Sequence, residues 1–190
     1  MAPASRLLGL DDLTGFRYRD DFITADEESA LLEAIEAMTF AAFEMRGVVA
    51  KRRVAFFGES YDRGRAEPIP APLLPLRDRV AAWVGVPAHA FAMALVNEYP
   101  AGAPIGWHRD APQYDIVSGV SLLSDCRMRF RPYVSPAEAA RTPAPRRATH
   151  EVPLRRRSGY LMAGVSRTSY EHHIPPVDHH RYSVTFRTLR

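Results

Sequence analysis

The stretch "RYSVTFRTL", Arg181 to Leu189, alternates strictly: Arg181, Ser183, Thr185 and Arg187 fall on one face of a strand, and Tyr182, Val184 and Phe186 fall on the other. The apolar face belongs to a core. The polar face, bracketed by two arginines, suits the wall of a cavity that takes an anion. Six residues of strand span roughly 20 Å, so two arginine side chains folding inward from its ends can grip the two carboxylates of a small dicarboxylate through charge-assisted hydrogen bonds.

Upstream of this strand the C-terminal half continues in the same style. "AFAMALVNEY" (90–99), "DIVSGVSLL" (115–123), "RMRFRPY" (127–133) and "SGYLMAGV" (158–165) are short, rich in β-branched or aromatic residues, and separated by Gly, Pro or Asp. In "RMRFRPY" the period is again two, with Arg127, Arg129 and Arg131 opposite Met128 and Phe130. The N-terminal half differs. "TADEESALLEAIEAM" (24–38) opens with cap-type residues and acids and then places Leu31, Leu32, Ile35 and Met38 at helical spacing. A second helix is predicted from about Pro75 to Val84, stopped by "GVP". "FRYRDDFI" (16–23) and "KRRVAFFG" (51–58) read as strands, "SYDRGRAEPIPAPLLP" (60–75) as a loop, and the arginine-rich 135–157 segment as a long exposed insertion. Two helices followed by a run of strands predict an α+β domain whose C-terminal half is a β-sandwich or jelly roll.

A length of 190 residues fits one domain, and a hydrophobic fraction of 46% argues against disorder. No apolar run approaches the roughly 20 residues that cross a bilayer. The start, "MAPASRLLGLDDLTGF", makes a poor secretory signal, and the lone Cys126 forms no intrachain disulfide, so a cytoplasmic monomer is the expectation. Net charge is +3 and Lys51 is the only lysine. Arginine suits phosphate recognition, so this composition permits nucleic-acid binding without demanding it. No G-x-S-x-G elbow supports a serine hydrolase.

In "NEYPAGAPIGWHRD", Asn97 to Asp110, His108 and Asp110 stand two apart, so on a strand both reach one ion while Trp107 and Arg109 point away. "YEHHIPPVDHHRYS" supplies His172, His173, His179 and His180, any one of which completes two histidines and a carboxylate, the facial set that leaves positions open on non-haem Fe(II).

The order Asn-x-Tyr, His-x-Asp, distal histidine and R-x5-R, with "HHIPP" and "RYSVTFR" as its later parts, resembles the AlkB-type dioxygenases from about Phe22 to Arg187. The resemblance implies a double-stranded β-helix (jelly roll) core at about 91–190, with an N-terminal helical and substrate-lid part at about 1–90, in a single domain. It implies Fe(II), 2-oxoglutarate and O2, and oxidative removal of N-alkyl groups from DNA or RNA bases with release of formaldehyde, on a single-stranded or flipped-out base. Matched position by position, it gives His108, Asp110 and His172 the iron. Arg181 takes one carboxylate end of 2-oxoglutarate with Tyr99 assisting, and Asn97 and Arg187 serve the end that chelates iron. Ser183 stands among these cofactor residues where the family commonly has asparagine, and Pro112 stands where several DNA-repair members carry an acid.

For the substrate, Phe56 matches an aromatic residue that stacks on the target base. Arg52 and Arg53 just upstream are candidates for phosphate contacts. In the insertion, Arg146, Arg147, Arg155, Arg156 and Arg157 are candidates as well. Two alternatives stand beside this reading. One is the same oxygenase chemistry on a protein side chain or small molecule. The other is a nucleic-acid binding module whose metal is structural, which needs a fourth ligand from His173, His179 or His180.

Overall fold

The computed structural model describes residues 13–45, 47–60, 64–65, 67–141 and 149–190. Strand β1 (Phe16–Arg19) leads to helix α1 (Ala25–Glu36), and a hairpin of β2 (Ala41–Met45) and β3 (Val48–Ser60) follows. The two-residue β4 (Gly64–Arg65) pairs with the end of β3, and a 3-10 turn at Ala71–Leu73 precedes helix α2 (Leu74–Val84). Then come β5 (Phe91–Tyr99), β6 (Ile105–His108), β7 (Tyr114–Leu122), β8 (Cys126–Pro132) and the short helix α3 (Pro136–Arg141). The chain closes through β9 (His150–Leu154), β10 (Gly159–Met162), helix α4 (Gly164–Thr168), β11 (Tyr170–Ile174) and β12 (Arg181–Leu189).

All ladders are antiparallel and make two sheets. The larger runs β1-β10-β7-β12-β5-β3-β2 with β4 attached to β3, and the smaller runs β6-β11-β8-β9. The strand predicted from "RYSVTFRTL" is thus central, hydrogen-bonded to β5 on one side and β7 on the other. Its apolar face joins Val184 and Phe186 to Leu31 and Ile35 of α1 and to Leu76 and Val80 of α2 in one buried cluster. A second cluster fills the space between the sheets, where Met128, Phe130, Val152 and Leu154 meet Met93, Leu95 and Val117. Burying a side chain of this size contributes roughly 1.5–3 kcal/mol. The alternation in "RMRFRPY" is confirmed, since Met128 and Phe130 are the buried residues of β8.

Helix α1 begins where the sequence places it. Thr24 accepts from the Glu27 amide (3.2 Å), and Glu27 accepts in return from the Thr24 amide (2.8 Å). This reciprocal box is worth about 1 kcal/mol. Gly58 is required in β3: it has φ +83°, and a Cβ there would lie 2.1 Å from the Ala92 carbonyl oxygen on β5.

Three expectations are corrected. The 135–157 segment is not all insertion, because 150–154 forms β9, whose Val152 and Leu154 are fully buried. Pro153 is tolerated there because β9 is an edge strand. The end of "SGYLMAGV" leaves the sheet at Met162 and enters α4. Within 60–75, β4 and the 3-10 turn replace part of the loop. No helix among the described residues is long and apolar enough to cross a membrane.

Candidate active site

The polar face of β12 is buried: Arg181, Ser183, Thr185 and Arg187 are at most 8% exposed. The β5 ladder sets Tyr99 beside Arg181 and Asn97 beside Ser183, and the β7 ladder sets Ser121 on the other flank of Ser183. Arg181 donates from Nε to Ser121 Oγ (3.0 Å) and lies over the Tyr99 ring at 4.8 Å. Its Nη1 is buried with no hydrogen-bond partner. A buried guanidinium nitrogen without an acceptor is costly, and a carboxylate brought within its reach would satisfy it; next to it, Tyr99, Asn97 and Ser183 line the cavity. The Asn97 side-chain amide donates to Ser183 Oγ at 3.5 Å, and Tyr160 closes the wall. The enclosed space is small, about 50 Å³.

Above this cavity, the β6–β11 ladder pairs His108 with His172, bringing their ring centroids to 4.2 Å. Asp110 lies past the end of β6, so the two-residue spacing does not operate within one strand as predicted, yet its Oδ2 still comes within 3.7 Å of His172 Nε2. Arg187 holds the carboxylate, donating to Oδ1 from Nε (3.1 Å) and Nη2 (2.8 Å). Oδ2 is buried and unpartnered. His108 Nδ1 is 2.9 Å from the Gly106 carbonyl, an obligate acceptor, so the neutral ring carries its proton on Nδ1 and leaves the Nε2 lone pair free.

Electrostatics favour a cation between these groups. Burial acts to raise the Asp110 carboxyl, but Arg187 and then the histidines outweigh it and hold it far below the usual carboxylate range. Burial, then His108, push the His172 imidazole down to about 3. At neutral pH the site therefore offers an ionised carboxylate with a bare oxygen facing a neutral imidazole. Among the described residues no three His, Cys, Asp or Glu side chains stand as a ready-made metal-ligand group. The bare Oδ2 and the donor types fit a divalent iron, with His108, Asp110 and His172 as the residues that would hold it.

The His172 shift carries a prediction. The unfolded imidazole takes up a proton near pH 6.5, whereas the folded one stays neutral to about 3, so acidification between those values favours unfolding. Between pH 7 and pH 5 the metal-free protein should lose about 2 kcal/mol through this group. Urea unfolding at the two pH values measures the loss, and His172→Gln should remove that part of the slope.

The sequence pattern of the 2OG-Fe(II) oxygenase superfamily matches residues 21–187. The chain belongs to that superfamily. It is a dioxygenase that uses Fe(II), 2-oxoglutarate and O2. The "Alkylated DNA repair protein ALKBH8 homolog" of Arabidopsis thaliana is 28% identical over 190 residues, covering 90% of this chain and 52% of that protein. The chain thus spans about half the length of this curated relative. The solved structure described as "The structure of OsALKBH1" shares the fold, with a TM-score of 0.67 at 13% identity over 92% of this chain and 98% of that one. The AlkB-type resemblance in the motifs agrees with both.

Of the other residues singled out in the sequence for the substrate, Arg52 lines both the cavity and its mouth, and the rest of those described lie apart from them. Phe56 sits on the same face of β3 as Arg52 and packs against the inter-sheet core, but it lines neither the cavity nor its mouth. Phe43 of β2 takes the mouth position, with the Arg52 guanidinium 3.8 Å above its ring. Arg53 points to the opposite face and pairs with Glu98. Arg155 lies 3.8 Å from Asp20, Arg156 donates to Glu28 (2.7 Å), and Arg157 lies 3.3 Å from Asp21. All three arginines are thus turned toward the α1 side of the large sheet, where their charge is met by carboxylates. Arg146 and Arg147 fall outside the described residues.

None of the other clustered histidines reaches the metal position. His173 is on the outer face of β11, stacked on Trp107 at 4.9 Å. His180 Nε2 is 3.4 Å from Glu98, and His179 is exposed.

Three residues near the oxygenase site escaped the sequence. Ser121 and Tyr160 sit in strands whose alternation is legible, but only the pairing of β7 with β10 and β12 turns them inward. A Cβ on Gly119 would lie 2.4 Å from the Tyr160 ring, so this glycine makes room for the tyrosine. Arg167 of α4, nearly buried, donates to the Ala111 (2.5 Å) and Tyr114 (3.1 Å) carbonyls and pins the turn that carries Asp110.

Proposed function

We propose that this oxygenase is an oxidative demethylase of nucleobases, removing N-alkyl groups from DNA or RNA by hydroxylation and loss of formaldehyde. Its two sheets are then the halves of a double-stranded β-helix, and it works as a cytoplasmic monomer. The observation that carries the chemistry is the bare Asp110 Oδ2 facing neutral His172 above an arginine, Arg181, with a buried unpartnered nitrogen. When bound, the iron supplies the site where O2 and 2-oxoglutarate yield an oxidant able to hydroxylate an N-methyl carbon.

The chain's own residues do the rest. Arg181, backed by Ser121 and Tyr99, fixes the far carboxylate of 2-oxoglutarate. Asn97, Ser183 and Arg187 face its near end. Arg187 also holds Asp110 through Oδ1 and so leaves Oδ2 for the metal. The open side is the mouth between the β2–β3 hairpin and β6, where Phe43, Arg52, Trp107 and His108 meet. A mouth lined by apolar and aromatic side chains suits a base taken out of its stack. The name of the Arabidopsis relative, an alkylated DNA repair protein, supports a nucleic-acid substrate.

The test is succinate and formaldehyde release from panels of N-methylated oligonucleotides and methylated peptides. Equimolar succinate and formaldehyde with oligonucleotides is expected. Turnover of peptides alone would shift the substrate to protein.

A further inference from the structure

The mouth is a slot of about 190 Å³ between the β2–β3 hairpin and β6. It shares Arg52, Ile105 and His108 with the inner cavity, so a group seated in it lies beside the metal position. Among the described residues its lining holds one permanent charge, Arg52, and no Asp or Glu. Arg52 is only 7% exposed, rests on the Phe43 ring at 3.8 Å, and has a buried Nη1 with no hydrogen-bond partner. The neighbouring Arg53 points to the opposite face and holds Glu98 of β5, so that carboxylate is not turned toward Arg52. The turn after Asp110, with Ala111, Pro112 and Gln113, carries no charge either. Among the described residues Asp110 is the single acid lining the inner cavity, and Arg187 already holds it.

This arrangement constrains what can bind. A buried donor left without an acceptor disfavours every ligand that cannot supply one. A second positive charge placed against a buried guanidinium is repelled in a medium that screens it poorly.

We propose that Arg52 makes the slot selective for a substrate group that is uncharged or anionic and presents a carbonyl or other acceptor oxygen to Nη1. The inference rests on the nucleobase reading above, and within it names the class. Methylated bases that keep a ring carbonyl and no net charge, such as 3-methyluracil, 3-methylthymine and 1-methylguanine, are preferred over 1-methyladenine and 3-methylcytosine, which are cationic at neutral pH.

The experiment compares succinate formation on matched oligonucleotides bearing each of the five bases, for wild type, Arg52→Met and Arg52→Gln. Binding of the same oligonucleotides to metal-free protein is measured in parallel by fluorescence anisotropy, with urea unfolding to show that each variant is folded. Wild type should favour the neutral carbonyl bases at least tenfold in turnover and in binding. Arg52→Met should erase that preference by weakening the neutral bases and admitting the cationic ones. Arg52→Gln, which keeps a donor without the charge, should retain binding of the neutral bases while the cationic ones gain.

A wild-type preference for cationic bases, or a preference unchanged in folded Arg52→Met, overturns the assignment and leaves the demethylase reading standing. Turnover of none of the oligonucleotides overturns both.

Discussion

Arg181→Met is expected to remove most of the response to 2-oxoglutarate while leaving the cofactor-free protein as stable as wild type, or more so. The two halves of this result come from one observation. Arg181 is 1% exposed and meets the neutral side chains of Ser121, Tyr99 and Cys126, with Nη1 left bare. Replacing an unpaired buried charge by an apolar side chain of similar length is often neutral or stabilising. Losing the charge-assisted pair to the incoming carboxylate costs roughly 2–5 kcal/mol, or about 30-fold to several thousand-fold in the half-saturating concentration. Thermal unfolding reads both. Wild type should gain stability with 2-oxoglutarate, about 2.7 kcal/mol at a hundred times its dissociation constant. At the same concentration the variant should gain less than about 1 kcal/mol. An unaltered dependence on 2-oxoglutarate in Arg181→Met would place the carboxylate elsewhere.

Glu28→Ala should be among the most destabilising single changes in the protein, though it lies on the far side of the central sheet from the metal position. Glu28 is fully buried in α1 and accepts from the Leu123 amide (2.8 Å) and from Arg156 Nε (2.7 Å), with Arg157 3.7 Å away. It thereby ties the first helix to the end of β7 and to the turn before β10. Truncation leaves an amide and a guanidinium without their acceptor. Arg156 is half exposed and recovers some hydration, so the cost is about 2–4 kcal/mol. That corresponds to a fall of roughly 5–15 °C in Tm. Arg156→Ala should cost less, since Arg157 remains beside the carboxylate. If Glu28→Ala unfolds at the wild-type temperature, the pair holds nothing together.

How much of this was legible depended on whether a feature was local. The faces of β12 and β8, the Thr24 cap and the end of α2 follow from periods and caps, and each is where the sequence puts it. Strand β2 gave no such signal: "AAFEM" is short, lacks alternation and has no turn residue before it. Its ladder with β3 also shifts register between Ala42 and Glu44, so Phe43 rather than Phe56 reaches the mouth. The run Arg155–Arg157 looked like a solvated basic loop because its partners, Asp20, Asp21 and Glu28, are more than a hundred residues away in the chain. In the same segment, three arginines and Pro153 hid the alternating Val152 and Leu154 of β9. His172 and His173 are indistinguishable by composition; the family resemblance picks out His172, and the pairing of β11 with β6 sets that residue opposite His108.

That last point is also where the account is most exposed. The most direct measurement is an anaerobic Fe(II) titration, with and without 2-oxoglutarate, following the weak visible charge-transfer band of the chelate in wild type, His172→Ala and His173→Ala. The band should form in wild type, vanish in His172→Ala and persist in His173→Ala, whose ring is stacked on Trp107 outside the cavity. No band in folded wild-type protein, or a band lost with His173 and kept without His172, would contradict the site described for this chain.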